Sequence, residues 1–187
     1  MLKVASYDIV FQEIPGEVTL ALNLSNCPCH CPGCHSQHLW EDIGEPLDEA
    51  LLEALIAKYA SLITCVCFMG GDADPAEVAR LAEHIKKRSL DANLSPSLLG
   101  EGRGEASLKT AWYSGRPADP NNLGSLGHLG LLDIFDFLKF GPYIEELGGL
   151  KSEKTNQRLY KRVGQGTPDS PFSWEDITAS FWRNSFE

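Results

Sequence analysis

Four cysteines fall within eight residues, in the run Cys27-Pro-Cys-His-Cys31-Pro-Gly-Cys34. Cys27, Cys31 and Cys34 are spaced C-x3-C-x2-C. Three thiolates on one tight loop can hold three irons of a [4Fe–4S] cluster, whose complete ligation takes four cysteines. Three therefore leave one iron open, and an open iron can bind a substrate. The rival chemistry is a zinc site drawn from Cys27, Cys29, Cys31, Cys34 and the nearby His30, His35 and His38. Structural zinc normally takes its ligands from two separated pairs, and no second C-x2-C lies elsewhere in the chain. Cys29 is either a spare thiol or a ligand in a shifted register.

A second chemical feature is Gly70-Gly71-Asp72, which follows an apolar run. Glycines there let backbone approach a ligand closely, and a carboxylate matches an ammonium group. Alone, the same residues read equally well as a plain turn before a helix.

These residues need a scaffold, and the chain can build one. It has 187 residues, 43% of them apolar, enough for one domain with a real core. Its net charge of −10, from 16 basic and 26 acidic residues, argues against a nucleic-acid-binding surface. No apolar run approaches the ~18 residues of a membrane span. The first residues lack the pattern of a secretory signal, so the expected compartment is the cytoplasm. Clustered thiols in a core-rich chain point to metal or redox chemistry, not to a secreted disulfide framework. The remaining cysteines, Cys65 and Cys67, lie in an apolar strand and read as small buried hydrophobes.

Residues 3–13 and 17–25 read as two strands joined by a turn at Pro15-Gly16. Leu47, Leu51, Leu52, Leu55, Ile56 and Tyr59 recur at helical spacing, predicting a helix over roughly 46–60 opened by Pro46. Leu62–Met69 is a buried strand. Asp74 and Pro75 start a second helix with Val78, Leu81, Ala82 and Ile85 on its buried face. Residues 89–107 read as a surface loop or insertion. Leu108–Tyr113 and Ile134–Phe140 are further strands, with a loop over Pro117–Asn122. The part from Lys151 is polar, with a flexible link over 164–173 before a short aromatic element around Phe181 and Trp182. Strand and helix alternating in this order predict an α/β fold with a mainly parallel sheet. In such sheets ligands gather at strand carboxyl ends. The cysteine cluster, Gly70-Gly71-Asp72, Ser114-Gly115 and Gly141-Pro142 all sit at such ends, and on this topology they face one site.

The C-x3-C-x2-C spacing resembles that of the radical S-adenosylmethionine (SAM) superfamily. The resemblance narrows with further elements in one order: Asn26–His35, Cys67-Phe-Met-Gly-Gly-Asp72, Thr110–Gly115, Phe140-Gly-Pro-Tyr143 and Thr155-Asn-Gln-Arg158. Together they look like the anaerobic ribonucleoside-triphosphate reductase activating proteins, a family of glycyl-radical-enzyme activases. The likeness covers roughly residues 5–162, with 89–107 as the poorly matching insertion.

The resemblance implies an open, incomplete (βα) barrel. It implies a radical SAM domain over 1–162 and a partly flexible C-terminal tail over 163–187. Cys27, Cys31 and Cys34 would ligate the cluster, and the open iron would chelate the amino and carboxylate groups of SAM. Gly33, Cys34 and His35 would lie against SAM, and Gly70 and Gly71 against its methionine part. Asp72 stands where a Glu is commoner. Ser114 would reach the ribose or methionine part, or is an ordinary strand-end serine. Asn156, Gln157 and Arg158 would support either the fold or a partner surface.

The implied reaction is reductive cleavage of SAM to methionine and a 5′-deoxyadenosyl radical, which abstracts hydrogen from a glycine of the partner reductase. A low-potential donor such as flavodoxin would supply the electron, and neither nucleic acid nor membrane would take part. The alternatives are another small radical SAM enzyme (a different activase or a deazaguanine synthase) and a non-catalytic zinc or thiol binding module. The chain has no G-x-S-x-G elbow and no P-loop.

Overall fold

A computed structural model describes residues 1–94, 107–117, 134–164 and 172–182. Of the expected insertion 89–107, residues 95–106 fall outside, as do most of the Pro117–Asn122 loop and most of the 164–173 link, whereas 89–94, expected as loop, continue a helix.

β1 (Lys3–Val10) and β2 (Thr19–Leu24) form an antiparallel hairpin. Gly16 supplies the left-handed backbone, φ +81°, that the intervening turn needs. β3 is the two-residue Glu45–Pro46, paired with the start of β1. α1 spans Glu49–Tyr59 and α2 spans Pro75–Leu94, flanking β4 (Cys65–Met69). β5 (Lys109–Tyr113), β6 (Phe137–Phe140), β7 (Arg158–Val163) and β8 (Ser173–Asp176) complete one eight-stranded sheet of order β3-β1-β2-β4-β5-β6-β7-β8.

The sheet corrects the expected fold class. It is mixed, not mainly parallel. Four of its seven pairings are antiparallel (β1–β2, β1–β3, β6–β7 and β7–β8), and only β2–β4–β5–β6 run parallel. With two α-helices among the described residues, this is not a helix-rich (βα) barrel. The physical reason lies at the margins. The Pro15-Gly16 turn returns the chain antiparallel. Between β6 and β7 the described segment 141–157 holds only turns and a bridge, so no helix carries the chain back for a parallel pairing.

Pro46 is also reassigned: it lies in β3, and α1 begins at Glu49. Asp48 caps the helix, its Oδ1 accepting from Leu51 N at 2.8 Å. Asp74 caps α2 similarly, accepting from Glu77 N at 3.2 Å.

Side chains alternate across the strands. Leu20, Leu22, Leu24, Val66, Phe68, Trp112 and Leu138 pack in one core with Leu52, Leu55 and Ile56 of α1 and Val78, Leu81 and Ile85 of α2. Cys65, Cys67, Ala111, Phe137 and Leu159 face the other way, into a smaller cluster with Ile14. Burial pushes both thiols well above the ordinary cysteine range, which fits a packing role. No helix of the described residues is long and apolar enough to cross a membrane.

Candidate metal centre

The parallel register places the carboxyl ends of β2, β4, β5 and β6 side by side, because Asn23 faces Met69 and Met69 faces Tyr113. The cysteine loop leaves β2 at this edge. Its first residue turns sharply, Asn26 having φ +59° and donating its N–H to Glu41 O at 3.0 Å. Cys27 N donates to Leu39 O at 2.9 Å, tying the loop to the 3₁₀ turn Gln37–Trp40. His30 stacks flat on Trp40, with ring centroids 4.9 Å apart. Gly33 takes φ +72°, within a turn closed by Cys34 N donating to Cys31 O at 3.1 Å. The Ser36 N–H then points at Cys34 Sγ at 3.4 Å, the kind of donor that stabilises a ligating thiolate. The ring of His35 meets Tyr143 edge-on at 6.4 Å.

Gly70 and Gly71 follow β4 with φ +98° and +86°. Gly70 donates to Tyr113 O and accepts from Trp112 Nε1 at 2.7 Å. A Cβ on Gly71 would lie 2.5 Å from Val78 Cγ2 and 2.9 Å from Leu24 Cδ1. The backbone angle and the packing therefore both demand glycine at Gly71, before any ligand is considered.

Asp72 is 1% exposed and lies at the centre of the edge. Ser114 Oγ donates to its Oδ1 at 2.5 Å and Gly115 N to its Oδ2 at 3.0 Å. Arg116 Nη2 donates to the Asp72 carbonyl at 2.7 Å, and its Nε lies 3.6 Å from Oδ1. Cys29 Sγ stands 3.8 Å from Oδ2. Burial, then the negative charge of Asp72 and Cys27, pushes the Cys29 thiol up to about 12. Gly115 is the seat of this sulfur, for a Cβ there would be 2.6 Å from Sγ.

Sequence reasoning missed Lys139. It is 8% exposed, and its Nζ donates to Gly141 O at 2.9 Å. Burial lowers its amine to about 8, while the negative charge of Asp72, Cys31, Cys29 and Cys34 pulls the other way. A buried ammonium thus lies within electrostatic reach of the cysteine loop. The available signal was a lysine inside the otherwise apolar Phe137–Phe140.

The elements Asn156, Gln157 and Arg158 brace the next turn. Asn156 Nδ2 donates to Pro142 O at 2.9 Å, Gln157 Nε2 to Gly141 O at 3.4 Å, and Arg158 Nη1 to Thr155 O at 2.6 Å.

The structure thus brings the cysteine loop, Gly70, Gly71, Asp72, Ser114 and Lys139 to one edge of the sheet. The ligand atoms of Cys27, Cys29 and Asp72 lie within 4.8 Å of one another, and the negative charge of Cys31 also reaches Cys29. The donor chemistry fits an iron–sulfur cluster. Thiols dominate the loop, one receives a backbone N–H, and a buried cation offsets their charge. A cubane also spreads its thiolates over different irons, so its ligands need not crowd one point.

Comparison with known proteins agrees at this level. The family described as 4Fe-4S single cluster domain matches residues 15–96, a segment that includes the cysteine loop and Gly70–Asp72. That likeness is consistent with an iron–sulfur protein. No curated protein and no solved structure matches the chain significantly.

Proposed function

We propose that this chain is a radical SAM activase acting on anaerobic ribonucleoside-triphosphate reductase. The observation that carries the reading is the C-x3-C-x2-C loop standing at the carboxyl edge of the central parallel strands, within the segment that matches single-cluster [4Fe–4S] domains. Cys27, Cys31 and Cys34 would hold the cluster. The cluster, when bound and reduced, would supply one electron for cleavage of SAM to methionine and a 5′-deoxyadenosyl radical, which takes a hydrogen atom from a glycine of the reductase.

The remaining residues orient and balance charge. Lys139 opposes the negative charge of the loop. Gly70 and Gly71 turn the backbone at the end of β4, where the methionine part would lie. Gly33 and His35 flank the last cysteine, where the adenine would lie. Ser114 holds Asp72 in place, so its part in SAM binding would be indirect through that carboxylate. A flavodoxin-like donor would deliver the electron.

The test is anaerobic reconstitution, reduction and incubation with SAM. The wild type should release 5′-deoxyadenosine, and Cys31→Ala should release none. A reconstituted, reduced wild type that leaves SAM intact would overturn the reading.

A further inference from the structure

We infer that the iron-free chain holds a zinc-class divalent cation between Cys27, Cys29 and Asp72, a site that shares one cysteine with the proposed cluster set and excludes the other two. The two Sγ atoms and a carboxylate oxygen of Asp72 all lie within 4.8 Å of one another. Tetrahedral zinc with bonds of about 2.3 Å to sulfur and 2.1 Å to oxygen sets a sulfur–oxygen edge of about 3.6 Å. Cys29 Sγ and Asp72 Oδ2 stand 3.8 Å apart, so little movement is needed.

The carboxylate is already oriented for this task. Oδ1 is engaged by Ser114 and Arg116, while Oδ2 accepts the Gly115 N–H and the Cys29 S–H, a bond that loss of the thiol proton on metal binding frees. Ligating carboxylates are commonly fixed by such outer hydrogen bonds. Two thiolates and a carboxylate suit a borderline-soft ion, and water completes the fourth position. Binding releases the two thiol protons to solvent.

This site is independent of the activase reading but has a consequence for it. Zinc binds a given site more tightly than ferrous iron does. Zinc on Cys27 therefore blocks cluster assembly until it is removed.

The full-length, iron-free chain is titrated anaerobically with Zn²⁺ alone, and with Co²⁺, whose thiolate charge-transfer absorption reports coordinated sulfur. One metal per chain is expected. Cys29→Ser and Asp72→Asn should each weaken binding at least about 10-fold. Cys29→Ser should also roughly halve the charge-transfer intensity per bound cobalt, one of two thiolates being gone. Cys31→Ser and Cys34→Ser should bind as the wild type does. Far-UV circular dichroism checks each variant's fold, and Cys29→Ala replaces Cys29→Ser if the latter unfolds. The inference is overturned if the wild type binds no metal, if Cys29 variants bind unchanged, or if Cys31→Ser or Cys34→Ser weakens binding as much as Cys29→Ser. The titration reads the iron-free chain and the release assay reads zinc-free, reconstituted protein, so failure of either leaves the other reading standing.

Discussion

Replacing Lys139 with methionine removes a buried ammonium and nearly preserves side-chain length. In the wild type, burial brings this amine from its ordinary 10.5 down to about 8. The unfolded chain therefore binds more protons than the folded chain between those two values, and stability rises with pH across that window. Below pH 8 both states carry the proton and the full penalty stands. A displacement of this size corresponds to about 3 kcal/mol. Methionine escapes that penalty but forgoes the hydrogen bond from Nζ to Gly141 O. A hydrogen bond from a charged donor contributes about 1.5–3 kcal/mol, so the net gain at pH 7 is about 1 kcal/mol. That raises the unfolding temperature by about 2–4 °C. The assay is urea unfolding of iron-free protein under anaerobic conditions, wild type against Lys139→Met, at pH 7 and pH 10. The variant should be the more stable at pH 7, with the advantage lost or reversed at pH 10. The same variant should retain a reconstituted cluster less well, since the thiolate charge has lost its buried counterion. A variant less stable than wild type at pH 7, or a difference indifferent to pH, would refute the reasoning.

Gly71→Ala meets both a left-handed backbone and the Val78 and Leu24 side chains, so it should cost about 2–5 kcal/mol. Gly16→Ala has a similar φ of +81° but nothing within 4 Å, and should cost only about 1–2 kcal/mol. Equal losses in denaturant unfolding would show that the packing term is absent. Asp48→Ala removes the cap of α1 and should lower stability by about 1 kcal/mol, read as a fall of about 2–4 °C in unfolding temperature with iron content unchanged.

Much of the site was legible because local rules governed it. The four thiols, the strand before Gly70-Gly71 and the Asp74-Pro75 helix start each follow from spacing or turn chemistry. The central parallel strands, and with them a shared carboxyl edge, followed from alternation of strand and helix. The direction of the outer strands did not, because hydrophobic period reports a strand and not its sense. β7 was hidden by its charges: in Arg158-Leu-Tyr-Lys-Arg-Val163, Leu159 and Tyr160 are buried while Lys161 is exposed. α1 was found but its start was misplaced, since Pro46 suits a helix opening and an edge strand equally well. The bond between Asp72 and Ser114 joins residues 42 apart in sequence and exists only through the β4–β5 register. Lys139 stood out only as a charge in an apolar strand; its place by the loop depends, like that bond, on a neighbouring strand end.

Spatial order across the middle of the sheet coincides with chain order, β2, β4, β5 and then β6. A nascent polypeptide can therefore add each new strand beside the last as it emerges from the ribosome. The cysteines come out early, and the lysine that counterbalances them is roughly a hundred residues behind, a delay of about 5–20 s at ordinary translation rates. During that interval the sulfurs are exposed without their finished surroundings.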